Sequence, residues 1–152
     1  MKHTLSTLTV LFILLTSSMS WGSVDGKGLF CNLDEEKSDN FVKGDDKIGF
    51  FFESGDVVTI VTFTQKNDKI RSEVLSNHPF HTDLERILWK DRLFSYELNR
   101  SNLELKLING LSFKQIYQCD LIVGGDAFRK RLGVEKKNLQ SKYDEKLKDK
   151  KI

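Results

Sequence analysis

The chain is poor in the residues from which catalytic and metal sites are usually built. Its 152 residues include only three histidines, two cysteines and one proline. The sequence contains no recognisable CxxC or Cys–His pairing, no HExxH-like helical pairing, no carboxylate dyad and no cofactor-binding loop. Since enzymes and metalloproteins of the common classes carry such signatures, we expect a non-enzymatic protein that needs no cofactor.

Long apolar runs are also scarce, and the one clear example lies at the N-terminus. Residues 1–22 combine a short cationic start, the apolar run "LTVLFILL" at 8–15 and small residues around Ser20 and Gly22. This order is typical of a secretory signal peptide, and the run is too short to span a hydrocarbon core of about 30 Å. We predict a signal peptide cleaved after Ser20 or Gly22 and a mature protein that is soluble, periplasmic or secreted. An uncleaved N-terminal anchor is the alternative.

The chain has two cysteines, Cys31 and Cys119, so one pair can form without leaving an unpaired cysteine. In an exported chain the surroundings are oxidising, so the pair predicts one disulfide bond. Closing a loop of almost 90 residues would stabilise the fold by up to about 4–5 kcal/mol on the chain-entropy model. A two-cysteine metal site and a reactive thiol are the competing interpretations.

Residues 23–125 predict one β domain. Short segments with alternating apolar and polar residues are separated by turn residues, at 28–33, 47–54, 57–64, 70–75, 86–90, 93–98, 103–107 and 112–123. About eight strands of this kind, rich in Val, Ile, Phe and Thr, are typical of a mainly β fold, either a small antiparallel barrel or a sandwich.

Residues 126–152 form a separate basic tail. They carry ten Lys and Arg against five Asp and Glu, whereas residues 21–125 carry 13 against 17. Apolar residues recur at helical spacing, at Phe128, Leu132, Leu139, Tyr143 and Leu147, so we predict a C-terminal amphipathic helix. We expect its first turns to dock on the β domain and its last turns to fray. Weak contact with an anionic surface is conceivable through this tail, whereas nucleic-acid binding is not expected of an exported protein. We expect a monomer.

The segment "NHPFHTD" at 77–83 is the best candidate for a metal site. It holds His78, His81 and Asp83, and imidazole and carboxylate groups are zinc ligands. Zinc typically needs three or four ligands, however, and Pro79 indicates a loop between two strands. We therefore predict a solvent-exposed loop with Phe80 against the core, and a metal site is the alternative.

Three further residues are candidates for a binding surface. Trp89 is either half exposed beside a turn or buried. In "GFFF" at 49–52, Phe51 must face away from a core that takes Phe50 and Phe52, so it covers an edge, contacts the tail helix or joins a binding patch. Ser54 lies in the turn that follows.

Several motifs suggest a family. The segments "GLFCNL", "GFFFESGDVV", "ILWKDRLFSYELNRSNLELKL" and "YQCDLI" resemble small exported proteins found in marine alphaproteobacterial genomes, over roughly residues 28–123. The cysteine near each end and the tryptophan midway are more distantly similar to periplasmic C-type lysozyme inhibitors, which are small β-barrels. The Ser-Gly loop of those inhibitors is followed by a tyrosine, whereas "ESGD" at 53–56 has none, so the resemblance implies no site residue.

From these features we expect an exported binding or interaction protein whose ligand or protein partner is unknown. The alternative is an inhibitor of an envelope or cell-wall hydrolase such as lysozyme, and a metal-binding accessory protein is third. A pocket with convergent polar groups would favour ligand binding. An exposed loop without a pocket would favour inhibition, and a cluster of His and Asp would favour metal binding.

Overall fold

A computed structural model describes residues 23–38, 46–54, 56–110 and 113–149. The predicted signal peptide at 1–22 lies outside the described residues. No helix in the described ranges is long and apolar enough to cross a membrane.

The described chain forms a closed antiparallel barrel followed by one helix, which confirms the predicted mainly β class and favours the barrel over the sandwich. Each strand pairs with the next in sequence, and the last strand closes on the first. The strands are β1 (Lys27–Leu33), β2 (Lys47–Glu53), β3 (Val57–Lys66), β4 (Lys69–Thr82), β5 (Arg86–Lys90), β6 (Ser95–Asn99), β7 (Glu104–Asn109) and β8 (Phe113–Val123). Helix α1 (Gly125–Asp149) follows directly.

Alternate residues of each strand fill the barrel interior. An eight-stranded barrel is just wide enough for side chains to fill it, and here four aromatic rings occupy much of the space. Trp89 stacks on Tyr96 with ring centroids 5.1 Å apart, and Phe50 meets the Trp89 ring edge-on, also at 5.1 Å. Phe52 packs against Trp89 at 5.8 Å. Trp89 is only 3% exposed, so the buried alternative is the correct one.

The predicted disulfide is present and lies where the barrel closes. Cys31 on β1 and Cys119 on β8 are directly paired across the strands, with Cα atoms 3.9 Å apart. Both side chains are buried in the core. The bond therefore joins the first and last strands covalently at the seam on which closure depends.

Helix α1 docks on the outer face of β1 and β2. Phe128 is buried there against Gly28 and Gly49, because two strands without Cβ atoms at these positions leave room for its ring. Phe51 faces outward and packs on Phe128 at 5.3 Å, so of its three expected roles the contact with the tail helix is the one that the structure shows. Helix α1 continues through Gly133 without a break.

Docking extends beyond the first helical turns. The Gln140 side chain accepts a hydrogen bond from the backbone N–H of Ile70 at 2.8 Å, and the Tyr143 hydroxyl donates to Asp68 at 2.8 Å. These contacts attach the distal half of α1 to the turn between β3 and β4. The expectation that only the first turns dock is therefore too narrow.

A charged pair is buried beneath the helix. The Lys47 ammonium donates to the Glu135 carboxylate at 2.7 Å, and Arg131 lies 3.2 Å from the same carboxylate. Burial alone would raise the pKa of Glu135, but the hydrogen bond and the positive charge of Lys47 hold it below its ordinary value. Glu135 is thus ionised and satisfied, as a buried charge must be.

The segment at 77–83 is not the predicted loop, because residues 77–82 continue strand β4. The prediction is wrong because proline was taken to end a strand. Proline is tolerated in a strand where its missing N–H faces an edge that needs no ladder hydrogen bond. Pro79 occupies such a position, and its place in the barrel wall creates the site described next.

Candidate functional site

Strand β4 is the longest strand of the barrel and is paired unequally on its two sides. Over residues 69–79 it pairs with β3, with a shift of register opposite Ile60 and Val61. On its other side it pairs with β5 at only three residues, Phe80 to Thr82. The β4–β5 seam is therefore short. The part of β4 that precedes Phe80 has an edge that does not pair with β5.

Pro79 ends this ladder one residue pair before β5 itself ends at Lys90. The Phe80 N–H donates to the Asp56 carbonyl at 2.9 Å, on the β3 side. Because successive backbone amides of a strand point to opposite edges, the nitrogen of Pro79 faces β5. The next pair along the ladder would join Pro79 to Lys90, but proline has no N–H to donate. Pairing with β5 thus ends at Phe80 and Trp89.

A cleft of about 440 Å³ opens at this point in the barrel wall. It is mostly apolar, and it is lined by Pro79, His81, Leu88, Trp89, Lys90 and Tyr96. Ligand-binding clefts of this size, with apolar walls and few polar groups, are the usual sites for small molecules. We refer to it as the seam cleft.

Trp89, which lines the seam cleft, has a buried polar atom. Its indole Nε1 is shielded from water and has no hydrogen-bond partner among the described residues. A buried donor without an acceptor costs about 1–3 kcal/mol. Such a cost is commonly tolerated at a functional site, where a ligand can supply the missing acceptor.

The turn after β5 fixes the position of Tyr96, the second aromatic residue that lines the cleft. The Asp91 carboxylate accepts hydrogen bonds from the Tyr96 hydroxyl and from the backbone N–H groups of Leu93 and Phe94, each at 2.7 Å. Burial would raise the pKa of Asp91, but these hydrogen bonds and the nearby charge of His78 lower it. Burial and the bond to Asp91 raise the pKa of Tyr96. The phenol is therefore fixed in orientation and neutral.

The predicted metal ligands are not brought together. His78 pairs with Val58 and lies on the inner face of β4, whereas its neighbour His81 pairs with Leu88 on the outer face. Asp83 lies in the β4–β5 turn, where the amides of Glu85 and Arg86 lower its pKa. Within the described residues, no group of three or more His, Cys, Asp or Glu is arranged to hold a metal ion.

His78 has one partner that the sequence spacing did not suggest. Its Nε2 forms a short hydrogen bond with the hydroxyl of Ser76. Residues two apart on a strand share a face, so the pair follows from the local geometry of β4. Predicting a strand over 69–82 would have placed Ser76 and His78 on the same face. Predicting a loop gave no such indication.

The three candidate binding residues lie in different places. Trp89 lines the seam cleft. Phe51 is covered by the helix, and Ser54 is exposed in the turn between β2 and β3. Two residues of the cleft were thus candidates from the sequence, Trp89 for binding and His81 as a metal ligand. The sequence did not indicate the others, because Pro79, Leu88 and Tyr96 converge only through strand pairing.

A second cavity, of about 200 Å³, lies near the start of the described chain. Its lining is largely polar and includes Asp25, Asp56 and Arg100. It is smaller than the seam cleft and carries charges of both signs. It is the weaker candidate for an apolar ligand.

The turn between β4 and β5 presents an exposed apolar residue on a rigid frame. Leu84 at its tip is 96% exposed. The Asp83 carboxylate accepts from the N–H of Arg86 at 2.6 Å, and Arg100 donates to the Asp83 carbonyl at 2.6 Å. An ordered turn loses little conformational entropy on binding, so Leu84 is a candidate contact for another protein.

Comparison with known protein families, curated proteins and solved structures found no match. The site must therefore be interpreted from its own chemistry.

Proposed function

We propose that this chain is an exported, non-enzymatic binding protein that takes a small apolar or amphiphilic ligand in the seam cleft. The observation that carries this proposal is the cleft itself, an apolar opening of about 440 Å³ where the β4–β5 ladder stops. The barrel interior is filled by its own aromatic side chains. A ligand is therefore expected at the wall and not inside.

Export is supported by two features. The disulfide between Cys31 and Cys119 is of the kind that persists in oxidising compartments. Residues 1–22 have the composition of a signal peptide. Monomeric state, absence of nucleic-acid binding and weak contact of the basic helix with anionic surfaces remain predictions.

The Ser76–His78 pair is the feature closest to an enzyme site, and it is insufficient. A serine nucleophile needs a histidine that a third group orients, together with donors for the developing oxyanion. Within the described part of the chain, Ser76 is the single hydrogen-bond partner of the His78 ring. Binding therefore has better support than hydrolysis.

The proposal is tested by titrating the purified protein with a neutral apolar probe, 1-octanol, while the fluorescence of Trp89 is recorded. The chain has two tryptophans, so in protein that retains Trp21 the substitution Trp21→Phe leaves Trp89 as the only reporter. We expect a saturable change in emission, because Trp89 lines the cleft.

A matched pair of variants locates the response. Leu88→Glu places a charge on the cleft wall and should abolish saturation, since a buried unpaired charge opposes an apolar ligand. Val123→Glu makes the same kind of change at an apolar residue that is 70% exposed elsewhere, and it should leave the titration unchanged. If Leu88→Glu responds like the wild type, the seam cleft is not the binding site.

A second candidate function, inhibition of an envelope or cell-wall hydrolase, is favoured by the exposed Leu84 on its ordered turn. A preorganised loop binds with little loss of conformational entropy. The test is a lysozyme activity assay with increasing amounts of the protein. Inhibition that Leu84→Ala removes and Leu93→Ala, at another exposed leucine, retains would support this function; unchanged lysozyme activity would contradict it for that enzyme.

A further inference from the structure

We infer that the ligand of the seam cleft is an amphiphilic anion, with an apolar body and a carboxylate head. This inference rests on the proposed binding function and specifies the chemical class of the ligand.

The ionisable side chains that line the cleft and can carry a charge near neutral pH are both basic, whereas Glu97, which lies opposite Leu88 on the neighbouring strand, is paired with Arg86. Among the residues that line the cleft, Lys90 and His81 can carry a positive charge, and no Asp or Glu contributes to the lining. Neither Lys90 nor His81 forms an ion pair with another described residue. An anion at the rim would thus meet cationic groups that no internal carboxylate already neutralises.

The carboxylate nearest in sequence does not cancel this charge. Asp91 follows Lys90 directly, but its two oxygens accept three hydrogen bonds from Tyr96, Leu93 and Phe94. The Asp91 carboxylate is therefore already hydrogen-bonded within the turn. Asp91 does not line the cleft. The carboxylate of a bound ligand would therefore not lie against the Asp91 carboxylate.

The walls explain why the anion needs an apolar body. Pro79 and Leu88 present aliphatic surface, and Trp89 and Tyr96 add stacked aromatic rings. Burial of apolar surface gives roughly 25 cal/mol per Å², so a hydrated inorganic anion would gain little here. A molecule with an alkyl or aryl portion uses the walls, while its head stays at the cationic rim.

The experiment compares octanoate with 1-octanol, which share a chain length and differ in the head group. Calorimetric titration of the purified protein should show octanoate binding about tenfold more tightly, which corresponds to about 1.4 kcal/mol. Lys90→Gln should reduce the preference, and Lys90→Arg should retain it. Lys114→Gln, at an exposed strand lysine outside the cleft, is the matched control and should have no effect.

The outcomes separate this inference from the function on which it rests. If both probes bind with equal affinity, the cleft is a binding site but does not select an anion, and the inference is overturned. A preference for octanoate that survives in the double variant Lys90→Gln/His81→Gln also overturns it. If neither probe binds, the binding function itself fails.

Discussion

Phe128 of the helix packs directly on Gly28 of the barrel, and this contact gives the sharpest stability prediction. A Cβ atom added at Gly28 would lie 2.5 Å from Cδ2 of the Phe128 ring and 3.0 Å from Cγ. Carbon atoms in good contact are about 3.5–4.0 Å apart, so the ring or the helix must move by roughly 1 Å. Gly28→Ala should therefore destabilise the protein by about 1–3 kcal/mol, as overpacking does elsewhere.

The destabilisation caused by Gly28→Ala should depend on the presence of the Phe128 ring. Phe128→Ala removes a buried phenylalanine and should cost about 3–5 kcal/mol on its own. In that background the methyl group of Gly28→Ala no longer meets a ring. The double variant should thus be about 1–3 kcal/mol more stable than the sum of the two single losses predicts.

Urea denaturation measures these free energies, with far-UV circular dichroism for the helix and Trp89 fluorescence for the barrel. Coincident transitions by both probes justify a two-state analysis. Gly133→Ala is the control, because it makes the same chemical change in open space inside the helix. It should stabilise the protein by about 0.5–1 kcal/mol. Equal destabilisation by Gly28→Ala with and without the Phe128 ring would refute the proposed clash.

Three other changes test the remaining features. Cys31→Ala/Cys119→Ala should lower the unfolding free energy by up to about 4–5 kcal/mol, and reduced wild-type protein should lose a similar amount; an unchanged denaturation midpoint would contradict this. Since the folded pKa of Glu135 is depressed, its contribution is present above the unfolded pKa and is lost as pH falls, so the stability difference between wild type and Glu135→Gln should shrink below about pH 4.5. A difference constant from pH 7 to pH 3 would exclude this linkage. Asp91→Ala removes three hydrogen bonds and should cost about 1–3 kcal/mol by thermal denaturation, with a weaker near-ultraviolet signal of Tyr96; wild-type stability would show that the turn does not depend on this carboxylate.

Features encoded locally could be predicted from the sequence. The alternating segments correspond to strands and the apolar stripe around Phe128 to a helix, because each pattern is read within a dozen residues. The Cys31–Cys119 bond followed from the even count and the export signal. Closure into a barrel did not follow, because it depends on pairing between β1 and β8, whose registered residues lie far apart in sequence.

Apart from the disulfide and the contact of Phe51 with the helix, features that join distant residues could not be predicted. The partner of Glu135 is Lys47, 88 positions away, and nothing near either residue indicates the pairing. For Pro79, two principles compete: proline ends most strands, but it is accepted where its nitrogen faces an unpaired edge. Only the neighbouring strand decides between them. The seam cleft was missed for this reason, although one of its walls, Trp89, was a candidate.

The position of the seam cleft follows from how the barrel is reinforced. The first and last strands share seven registered pairs and the disulfide, and helix α1 covers their outer face. The β4–β5 seam, four strands away in either direction around the closed sheet, has three pairs. Local opening concentrates where few backbone hydrogen bonds and contacts must be lost. We therefore expect the wall to open most readily beside Pro79, where the proposed ligand would enter, while the disulfide holds the β1–β8 seam closed. The proposed binding site therefore coincides with the β4–β5 seam, which has the fewest registered pairs in the barrel wall.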